Sequence, residues 1–280
     1  MRSKDPWKLR RPHTPGTSHR AILQSFLFWA SLLEALASIY SPGNYIRRVE
    51  RIKSGIPGLD EAMHGGIPKN QLVLLTGTAG TGKTILCSQY IYSGLRNFKE
   101  NGVYLTLEEP PEYIKEKMKS FGWDFEGLVK TGRFSFIKYD PYRAEDVIDI
   151  LESTIREFKA TRVVIDSVSA LGLHIKDPEE LRRIIFNLSL TLRKLNCTAM
   201  LVSEIVHGKT GLSRYGVEEF VSDSVVVLYY ERLQSYFSRA VQVWKLRGST
   251  HSEKLHPYEI GSQGIVINQL EESFVRELSR

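Results

Sequence analysis

One short stretch combines glycines, a lysine and a threonine at the spacing of a phosphate-binding loop. The sequence GTAGTGKT at 77–84 matches G-x-x-x-x-G-K-[ST], follows an apolar strand-like run and opens a helix-like run. Glycines let backbone N–H groups close around a phosphate, and the start of a helix contributes its positive end. The residues expected to bind the phosphates of a nucleotide are Gly77, Thr78, Ala79, Gly80, Thr81, Gly82, Lys83, Thr84 and Ile85.

Three side chains in and beyond this loop are candidates for phosphate chemistry. Lys83 is expected to act in catalysis by reaching the β and γ phosphates, and the Thr84 hydroxyl to bind a magnesium ion. The apolar run RVVID at 162–166 ends in Asp166, a second predicted magnesium ligand at the carboxyl end of the sheet, where ligands bind. The sequence contains no N-K-x-D motif, which would indicate guanine. The predicted cofactors are therefore ATP and Mg²⁺.

The group that activates the attacking water must come from elsewhere, because serine rather than glutamate follows Asp166. The sequence TLEEPP at 106–111 offers Glu108 and Glu109 at the carboxyl end of the strand after the phosphate-loop helix. A carboxylate there could deprotonate water beside the γ-phosphate, if that strand neighbours the phosphate-loop strand. Alternatively, the two acidic residues only favour the start of the next helix. We predict a catalytic pair, with Glu108 the favoured base and Glu109 an open alternative.

A cationic pair lies near the C-terminus, in QVWKLRGSTH at 242–251. Alternate side chains of a strand point to one face, which predicts a row of Val241, Val243, Lys245 and Arg247 that changes from apolar to cationic. We expect an anionic group beside the end of this row. The alternative is a solvated strand end.

The elements that must position these residues alternate between strands and helices. Strand patterns lie at 71–77, 102–107, 134–138, 162–167 and 198–203, and helical patterns begin near Lys83 and cover 111–122, 144–159 and 178–195. This alternation predicts an α/β fold with a mostly parallel central sheet and helices on both faces. Four consecutive strand patterns follow, at 223–230, 239–246, 257–260 and 264–267, and predict a C-terminal antiparallel extension of the sheet.

Charge is unevenly distributed along the 280 residues, whose formal net charge is +6. Residues 1–48 hold eight of the 38 Lys and Arg but two of the 32 Asp and Glu, so residues 49–280 carry 30 of each sign. A neutral body argues against a broad electrostatic footprint for DNA. Cys87 and Cys197 lack the spacing of a disulfide framework or a zinc site, which favours buried thiols in a reducing compartment.

The first 48 residues differ in kind from the domain predicted at 49–280. Residues 1–20 are basic and contain three prolines, whereas 21–40 are strongly apolar. Residues 1–48 thus resemble a signal peptide or an anchor, but export would separate an ATP site from ATP, and basic residues flank the apolar run on both sides. A helix packed on the body is another interpretation. The favoured one is an over-extended start, with the chain proper beginning near Val49.

Six features in order resemble the KaiC-like branch of the RecA superfamily. They are GIPGLDEAMHGGIP at 55–68, the phosphate loop, the tandem glutamates, RVVIDS, RYGVEEFVSDSVVVL at 214–228 and WKLRGSTH at 244–251. The resemblance covers residues 49 to about 268. It implies a RecA-like P-loop NTPase core that assembles as a homo-oligomer, usually a hexameric ring, with ATP between subunits. It also implies that Lys245 and Arg247 contact the γ-phosphate of the neighbour's ATP.

The chain departs from the clock protein's two-domain pattern. It has one domain, and Glu219-Phe220 stand where the autokinase site of the family carries adjacent Ser-Thr, so we do not expect autophosphorylation of that kind. The stretch GKTGLSRYG at 208–216 matches in position the loop that recombinases use on DNA, with Lys209, Arg214 and Tyr215 as a thin basic and aromatic set. A polar loop without nucleic-acid contact is favoured.

The sequence therefore predicts a cytoplasmic, Mg²⁺-dependent ATPase that hydrolyses ATP slowly and acts as an oligomeric regulatory or signalling switch. Its client would be a protein of unidentified kind, and membrane attachment is not favoured. One alternative is a RecA/RadA-like protein that binds single-stranded DNA under the control of ATP. Another is an interaction scaffold that binds ATP without turnover.

Overall fold

The computed structural model describes residues 49–140, 146–175, 177–208, 211–233 and 236–269. The strands within these residues are β1 Arg51–Ile52, β2 Ile67–Pro68, β3 Leu72–Gly77, β4 Gly102–Thr106, β5 Phe134–Lys138, β6 Arg162–Asp166, β7 Thr198–Glu204, β8 Ser224–Leu233, β9 Tyr236–Leu246, β10 His256–Gly261 and β11 Gly264–Ile267. The helices are α1 Leu59–Ala62, α2 Lys83–Asn97, α3 Pro111–Lys119, α4 Phe125–Lys130, α5 Asp146–Phe158, α6 Val168–His174, α7 Pro178–Lys194 and α8 Glu218–Val221.

Nine of the described strands form one sheet in the order β11-β10-β9-β8-β3-β7-β6-β4-β5, and β1 pairs with β2 in a separate antiparallel ribbon. The neighbours from β8 to β5 are parallel, whereas β8 to β11 are antiparallel to one another. The predicted fold class is confirmed. One detail differs: β8, predicted to be part of the antiparallel extension, pairs in parallel with β3, and the antiparallel part starts between β8 and β9.

Apolar clusters cover the two faces of the sheet. On one face, side chains of α2 such as Leu86 and Ile91 pack with Val73 and Leu75 of β3. On the other face, α5, α6 and α7 cover β4, β6 and β7, with Leu188 of α7 in the cluster. Because both faces are buried, the central strands are nearly continuous apolar runs, which is why their positions could be predicted from sequence.

The shortest elements were not predicted. They are the β1–β2 ribbon, α1, α4, α6 and α8, each of two to seven residues. Segments this short contain too few turns or alternations to show a periodic pattern. The predicted helix over 144–159 is observed as α5, and residues 141–145 lie outside the described residues.

The predictions made for residues 1–48, including the apolar run at 21–40, also lie outside the described residues. Among the helices that are described, none has the length and apolar character needed to cross a membrane.

A β-bulge in β9 changes the predicted row of side chains. Val243 pairs with Val226, whereas Lys245 pairs with Val225, so Trp244 is an extra residue between two adjacent positions of β8. A bulge places two residues of one strand opposite one residue of its partner, and the following side chains change face.

The two sides of this bulge contact different parts of the core. Val243 packs in the cluster on the α2 face, while Val225, the partner of Lys245, packs in a small cluster with Leu74 on the opposite face. The prediction that Val241 and Val243 share a row with Lys245 and Arg247 is therefore wrong. The two cations lie together on the other face, beyond the bulge.

Candidate functional site

The predicted phosphate loop joins β3 to α2. Gly77 ends β3, and a Cβ atom at this position would lie 2.4 Å from the carbonyl oxygen of Leu228, so only glycine fits against β8. Gly82 has a φ of 87°, a left-handed conformation that favours glycine, and α2 begins at the next residue. The N-terminus of this 15-residue helix therefore faces the loop, as anion binding requires.

Lys83 lies in the first turn of α2 with its side chain folded over the loop. Its Nζ atom donates hydrogen bonds to the carbonyl oxygens of Gly77 and Thr78, each at 3.0 Å. Burial lowers the pKa of Lys83, while the nearby carboxylates of Glu204, Asp166 and Glu108 act in the opposite direction. The ammonium group thus lies among acidic side chains in a partly dehydrated site, where it would attract a polyphosphate strongly.

Thr84 and Asp166, the predicted magnesium ligands, are in direct contact. The Thr84 hydroxyl donates a 2.9 Å hydrogen bond to Oδ2 of Asp166, which ends β6. Burial raises the pKa of Asp166, and hydrogen bonds from Tyr104 and Thr84 counteract this effect. A hydroxyl and a carboxylate are hard oxygen donors of the type that Mg²⁺ takes together with substrate phosphates, so these residues fit the ion.

The tandem glutamates follow β4, but β4 is not a neighbour of β3. Strands β7 and β6 lie between them, so the glutamates do not follow a neighbour of the phosphate-loop strand, as their predicted position beside the γ-phosphate required. Glu108 still reaches the site because β4 pairs with β6, where Thr106 lies opposite Asp166. The hydroxyl of Ser167 donates a hydrogen bond to Oε1 of Glu108. Ser167, which follows Asp166 where a glutamate could have served as the base, therefore holds the candidate base Glu108 in place.

Glu109 makes different contacts from Glu108. Its carboxylate accepts a 2.7 Å hydrogen bond from Lys117 of α3. Its carbonyl oxygen accepts a hydrogen bond from the Thr106 hydroxyl, which closes the turn between β4 and α3. The ion pair with Lys117 occupies the carboxylate of Glu109, whereas the carboxylate of Glu108 contacts Ser167, the residue that follows Asp166.

These residues line one cavity of about 670 Å³. Its walls include six of the nine residues predicted to bind phosphates, namely Ala79, Gly80, Gly82, Lys83, Thr84 and Ile85, together with Glu108, Glu109 and Asp166. The wall also contains apolar side chains, among them Phe121, which follows α3, and Ile260 of β10, which lies beside Gly82 of the loop. The cavity thus combines cationic and acidic groups suited to a magnesium–phosphate group with apolar side chains suited to a ring.

Two further side chains line the cavity and were missed from the sequence. Glu204 ends β7 opposite Gly77 of β3, and of the charged groups near Lys83 it most strongly favours the protonated amine. The rule that ligands bind at the carboxyl ends of parallel strands could have indicated it. The guanidinium of Arg239, on β9, lies 4.2 Å from the ring centre of Tyr230 beside Gly80. No sequence signal pointed to Arg239, because β9 reaches the site only through antiparallel pairing.

Lys245 and Arg247 are not among the described residues that line this cavity. Lys245 donates hydrogen bonds to the carbonyl oxygens of Glu219, in α8, and Ser222, at 2.8 and 2.6 Å. Arg247 donates to the carbonyl oxygen of Phe220 at 2.9 Å, and half of its side chain is exposed. The cations are thus held at the C-terminal end of α8, away from the cavity of their own chain that Lys83 and Asp166 line.

The loop considered for nucleic-acid contact directs two of its three candidate side chains into the protein. Arg214 pairs with Glu204 at 3.0 Å, and the hydroxyl of Tyr215 donates to the carbonyl oxygen of Ser169 at 2.9 Å. The third candidate, Lys209, lies outside the described residues. The loop therefore contacts the edge of the cavity that Lys83 and Asp166 line, through Glu204.

Comparison with known proteins gives a consistent result. Residues 52–272 match the family described as "ATPase: KaiC". The chain is 39% identical to a UPF0273 protein of Methanocaldococcus jannaschii over 236 residues, which cover 78% of this chain and 96% of the relative. It is 36% identical to the circadian clock protein KaiC3 of Synechocystis over 231 residues, 78% of this chain and 46% of that protein. The crystal structure of a KaiC-like protein from Pyrococcus horikoshii superposes with a TM-score of 0.73 at 38% identity, covering 79% and 99% of the two chains.

Proposed function

This chain belongs to the KaiC ATPase family, as the sequence motifs indicated, and on that premise we propose that it binds ATP with Mg²⁺ in the cavity described above and hydrolyses it. The observation that carries the proposal is the convergence of Lys83, Thr84, Asp166 and Glu108 on one cavity from three different elements of the fold. Phosphate-binding, metal-binding and basic groups are the parts that ATP hydrolysis requires.

Each side chain has a distinct role in this proposal. Lys83 and the N-terminus of α2 bind the β and γ phosphates, and Thr84 and Asp166 hold the magnesium ion. When bound, the ion neutralises negative charge on the phosphates. Glu108, held by Ser167, orients and deprotonates the attacking water. The apolar side chains of the cavity wall, among them Phe121, contact the adenine ring.

We propose further that the protein acts as a homo-oligomer, hexameric by the resemblance, in which Lys245 and Arg247 of one chain complete the site of the next. Their position away from their own cavity supports this assignment. The side chain of Arg247 pairs with Asp223 at 3.7 Å but is half exposed, so a ligand of another copy can reach it. In that position they would stabilise the charge of the transition state, as an arginine finger does.

A regulatory or signalling role in the cytoplasm, where ATP is present, is part of the same proposal. Hydrolysis at a subunit interface would change the contacts between chains, and a protein client could respond to that change. A pull-down from native cells with a non-hydrolysable ATP analogue, compared with a nucleotide-free sample, tests for such a client. A protein retained equally in both samples would not support the switch.

The proposed ATPase is tested by Lys83→Ala, which we expect to abolish ATP binding in calorimetry because the loop loses its ammonium group. Lys69→Ala is the matched control, since Lys69 is a half-exposed lysine that pairs with Glu50, and neither residue is among those that line the cavity. Equal ATP affinity of both variants would contradict the site.

Binding without phosphate release by the unmodified chain would support the scaffold alternative. An ATP-dependent shift of single-stranded DNA at low salt would support the nucleic-acid alternative.

A further inference from the structure

Tyr104, on β4, has a buried side chain that reaches from the apolar core into the candidate site. Its ring lies 5.2 Å from that of Phe136, in the cluster on the α2 face of the sheet. Its hydroxyl extends beyond this cluster and donates a 2.8 Å hydrogen bond to Oδ2 of Asp166 on the neighbouring strand β6. The ring therefore serves the core, while the hydroxyl contacts a residue of the proposed magnesium site.

The hydroxyls of Tyr104 and Thr84 share one acceptor. Both donate to Oδ2 of Asp166, at 2.8 and 2.9 Å. A carboxylate oxygen offers about two lone-pair positions, so these two donors fill those of Oδ2. Within the described residues, Oδ1 of Asp166 accepts no hydrogen bond. The two hydroxyl donors thus bind Oδ2 of Asp166 and leave Oδ1 to a ligand.

The direction of the hydrogen bond follows from the surroundings of the two groups. A phenol hydroxyl carries a proton to donate, whereas an ionised carboxylate can only accept. The side chain of Tyr104 is fully buried, so its hydroxyl donates to Asp166 from the side of the core, where solvent does not reach.

We propose that Tyr104 is a positioning residue for the magnesium site, because its hydroxyl fixes the carboxylate of Asp166 with Oδ1 directed to the ion and its water. This inference deepens the proposed function and rests on it. An unconstrained carboxylate rotates between orientations, and each rotation that turns Oδ1 away lowers the affinity for a cation. Thr84 cannot provide this control alone, since its own oxygen is a predicted ligand of the same ion.

The role of the hydroxyl can be separated from that of the ring. Tyr104→Phe keeps the aromatic contact with Phe136 and removes only the donor. The matched control is Tyr90→Phe, because Tyr90 is also fully buried and its hydroxyl donates a 2.9 Å hydrogen bond to the carbonyl oxygen of Thr198, which is not part of the cavity wall. Each variant loses one buried hydrogen bond, but only the first loses one to Asp166.

The experiment measures metal affinity directly, without turnover. Mn²⁺ replaces Mg²⁺ as the probe, and its binding to the complex of protein and a non-hydrolysable ATP analogue is followed by electron paramagnetic resonance. We expect about 10-fold weaker Mn²⁺ binding for Tyr104→Phe, the scale found when a residue that orients a metal ligand is removed. Affinity for the analogue without metal should stay unchanged, and Tyr90→Phe should match the unmodified protein in both measurements.

Asp166→Ala separates a failure of this inference from a failure of the proposed function. If Asp166→Ala weakens Mn²⁺ binding while Tyr104→Phe does not, the positioning role is overturned and the magnesium site stands. If Asp166→Ala has no effect, the site itself is misassigned. Thermal unfolding establishes that each variant is folded. Should Tyr104→Phe fail that check, Tyr104→Met, whose flexible side chain fills irregular core space without a hydroxyl, provides the same comparison.

Discussion

The hydroxyl of Ser167 donates a hydrogen bond to the carboxylate of Glu108. Ser167 follows β6 and Glu108 follows β4, and these two strands are neighbours in the sheet. Ser167 follows the predicted magnesium ligand Asp166, so this contact holds the candidate base beside the candidate metal site. Glu109, next in sequence, pairs instead with Lys117 of α3. The two glutamates therefore differ in their contacts, and this difference leads to the first prediction.

Glu108→Gln is expected to lower phosphate release by about 10²-fold or more with ATP affinity preserved, because glutamine retains the size of the side chain but cannot accept a proton. Glu109→Gln should have the smaller effect, since it disrupts an ion pair with Lys117 that is half exposed to solvent. Single-turnover hydrolysis and calorimetry on both variants check this. Comparable losses in the two variants would contradict the assignment of the base to Glu108.

The trans role of Lys245 and Arg247 is tested by mixing two inactive variants. A Lys245→Ala/Arg247→Ala chain lacks the cations for its neighbour, and a Glu108→Gln/Glu109→Gln chain lacks its own base. The first chain alone should lose about 10³-fold in turnover if the cations act as fingers, and the second about 10²-fold or more, as expected for loss of the base. Co-expressed in one ring, they form some interfaces with an intact base on one chain and intact cations on the other, so activity should return.

The control for this mixture is a chain that carries all four substitutions. It provides neither a base nor cations, so it should rescue neither parent variant. Mixing is verified by different affinity tags on the two chains. Proven mixed rings without recovery of phosphate release would show that the cations do not act between chains.

The lowered pKa of Lys83 predicts a pH dependence of ATP binding. The protonated amine attracts the phosphates, and burial lowers its pKa below the ordinary value of 10.5. As pH rises through the lowered pKa, the amine loses its proton and the attraction is lost, so ATP affinity should fall at a pH below the range of an ordinary lysine. Lys83→Arg stays charged throughout and should bind more weakly but without this decline. Calorimetry from neutral pH upward measures the ATP affinity of the unmodified protein and of Lys83→Arg. If the two affinities change with pH in parallel, the decline does not come from deprotonation of Lys83.

Glu218 is predicted to stabilise the segment that holds the two cations. Its fully buried carboxylate accepts hydrogen bonds from the hydroxyls of Ser203 and Ser213 at 2.9 and 2.7 Å. Glu218→Ala should cost about 1–3 kcal/mol in the free energy of unfolding, because Ser203 loses its buried acceptor and Ser213 keeps only the carboxylate of Glu219. Glu218→Gln keeps an acceptor oxygen and should cost less. Urea denaturation measures both, and equal losses would mean that packing, not hydrogen bonding, sets the stability.

A chain that begins at Val49 is expected to fold and to bind ATP as the full chain does. The phosphate loop, Asp166 and Glu108 lie after residue 49, and so do the described members of both major core clusters. Thermal unfolding and calorimetry of the shortened chain check this expectation. An unfolded product would show that residues 1–48 belong to the core.

Sequence patterns were sufficient wherever the chemistry lies within a few consecutive residues. The phosphate loop from Gly77 to Ile85 needs neighbouring backbone groups at a defined spacing, and such spacing is visible in the sequence itself. The buried parallel strands were also visible in the sequence, because strands that are buried on both faces form consecutive apolar runs. The structure also brings together Thr84 and Asp166, the two residues predicted to bind magnesium, because the carboxyl ends of β3 and β6 lie at one edge of the sheet.

Tertiary structure alone decided the contacts that depend on strand order and register. The order β3-β7-β6-β4 places Glu204 beside the loop and brings Glu108 and Tyr104 to Asp166, although β4 is not next to β3. The bulge at Trp244 turned Lys245 to the face opposite Val243, which alternation along a regular strand could not predict. The physical reason is that strands pair through main-chain hydrogen bonds, which are largely independent of side-chain identity. The sequence of one strand therefore does not determine by itself which strand it pairs with or in which register.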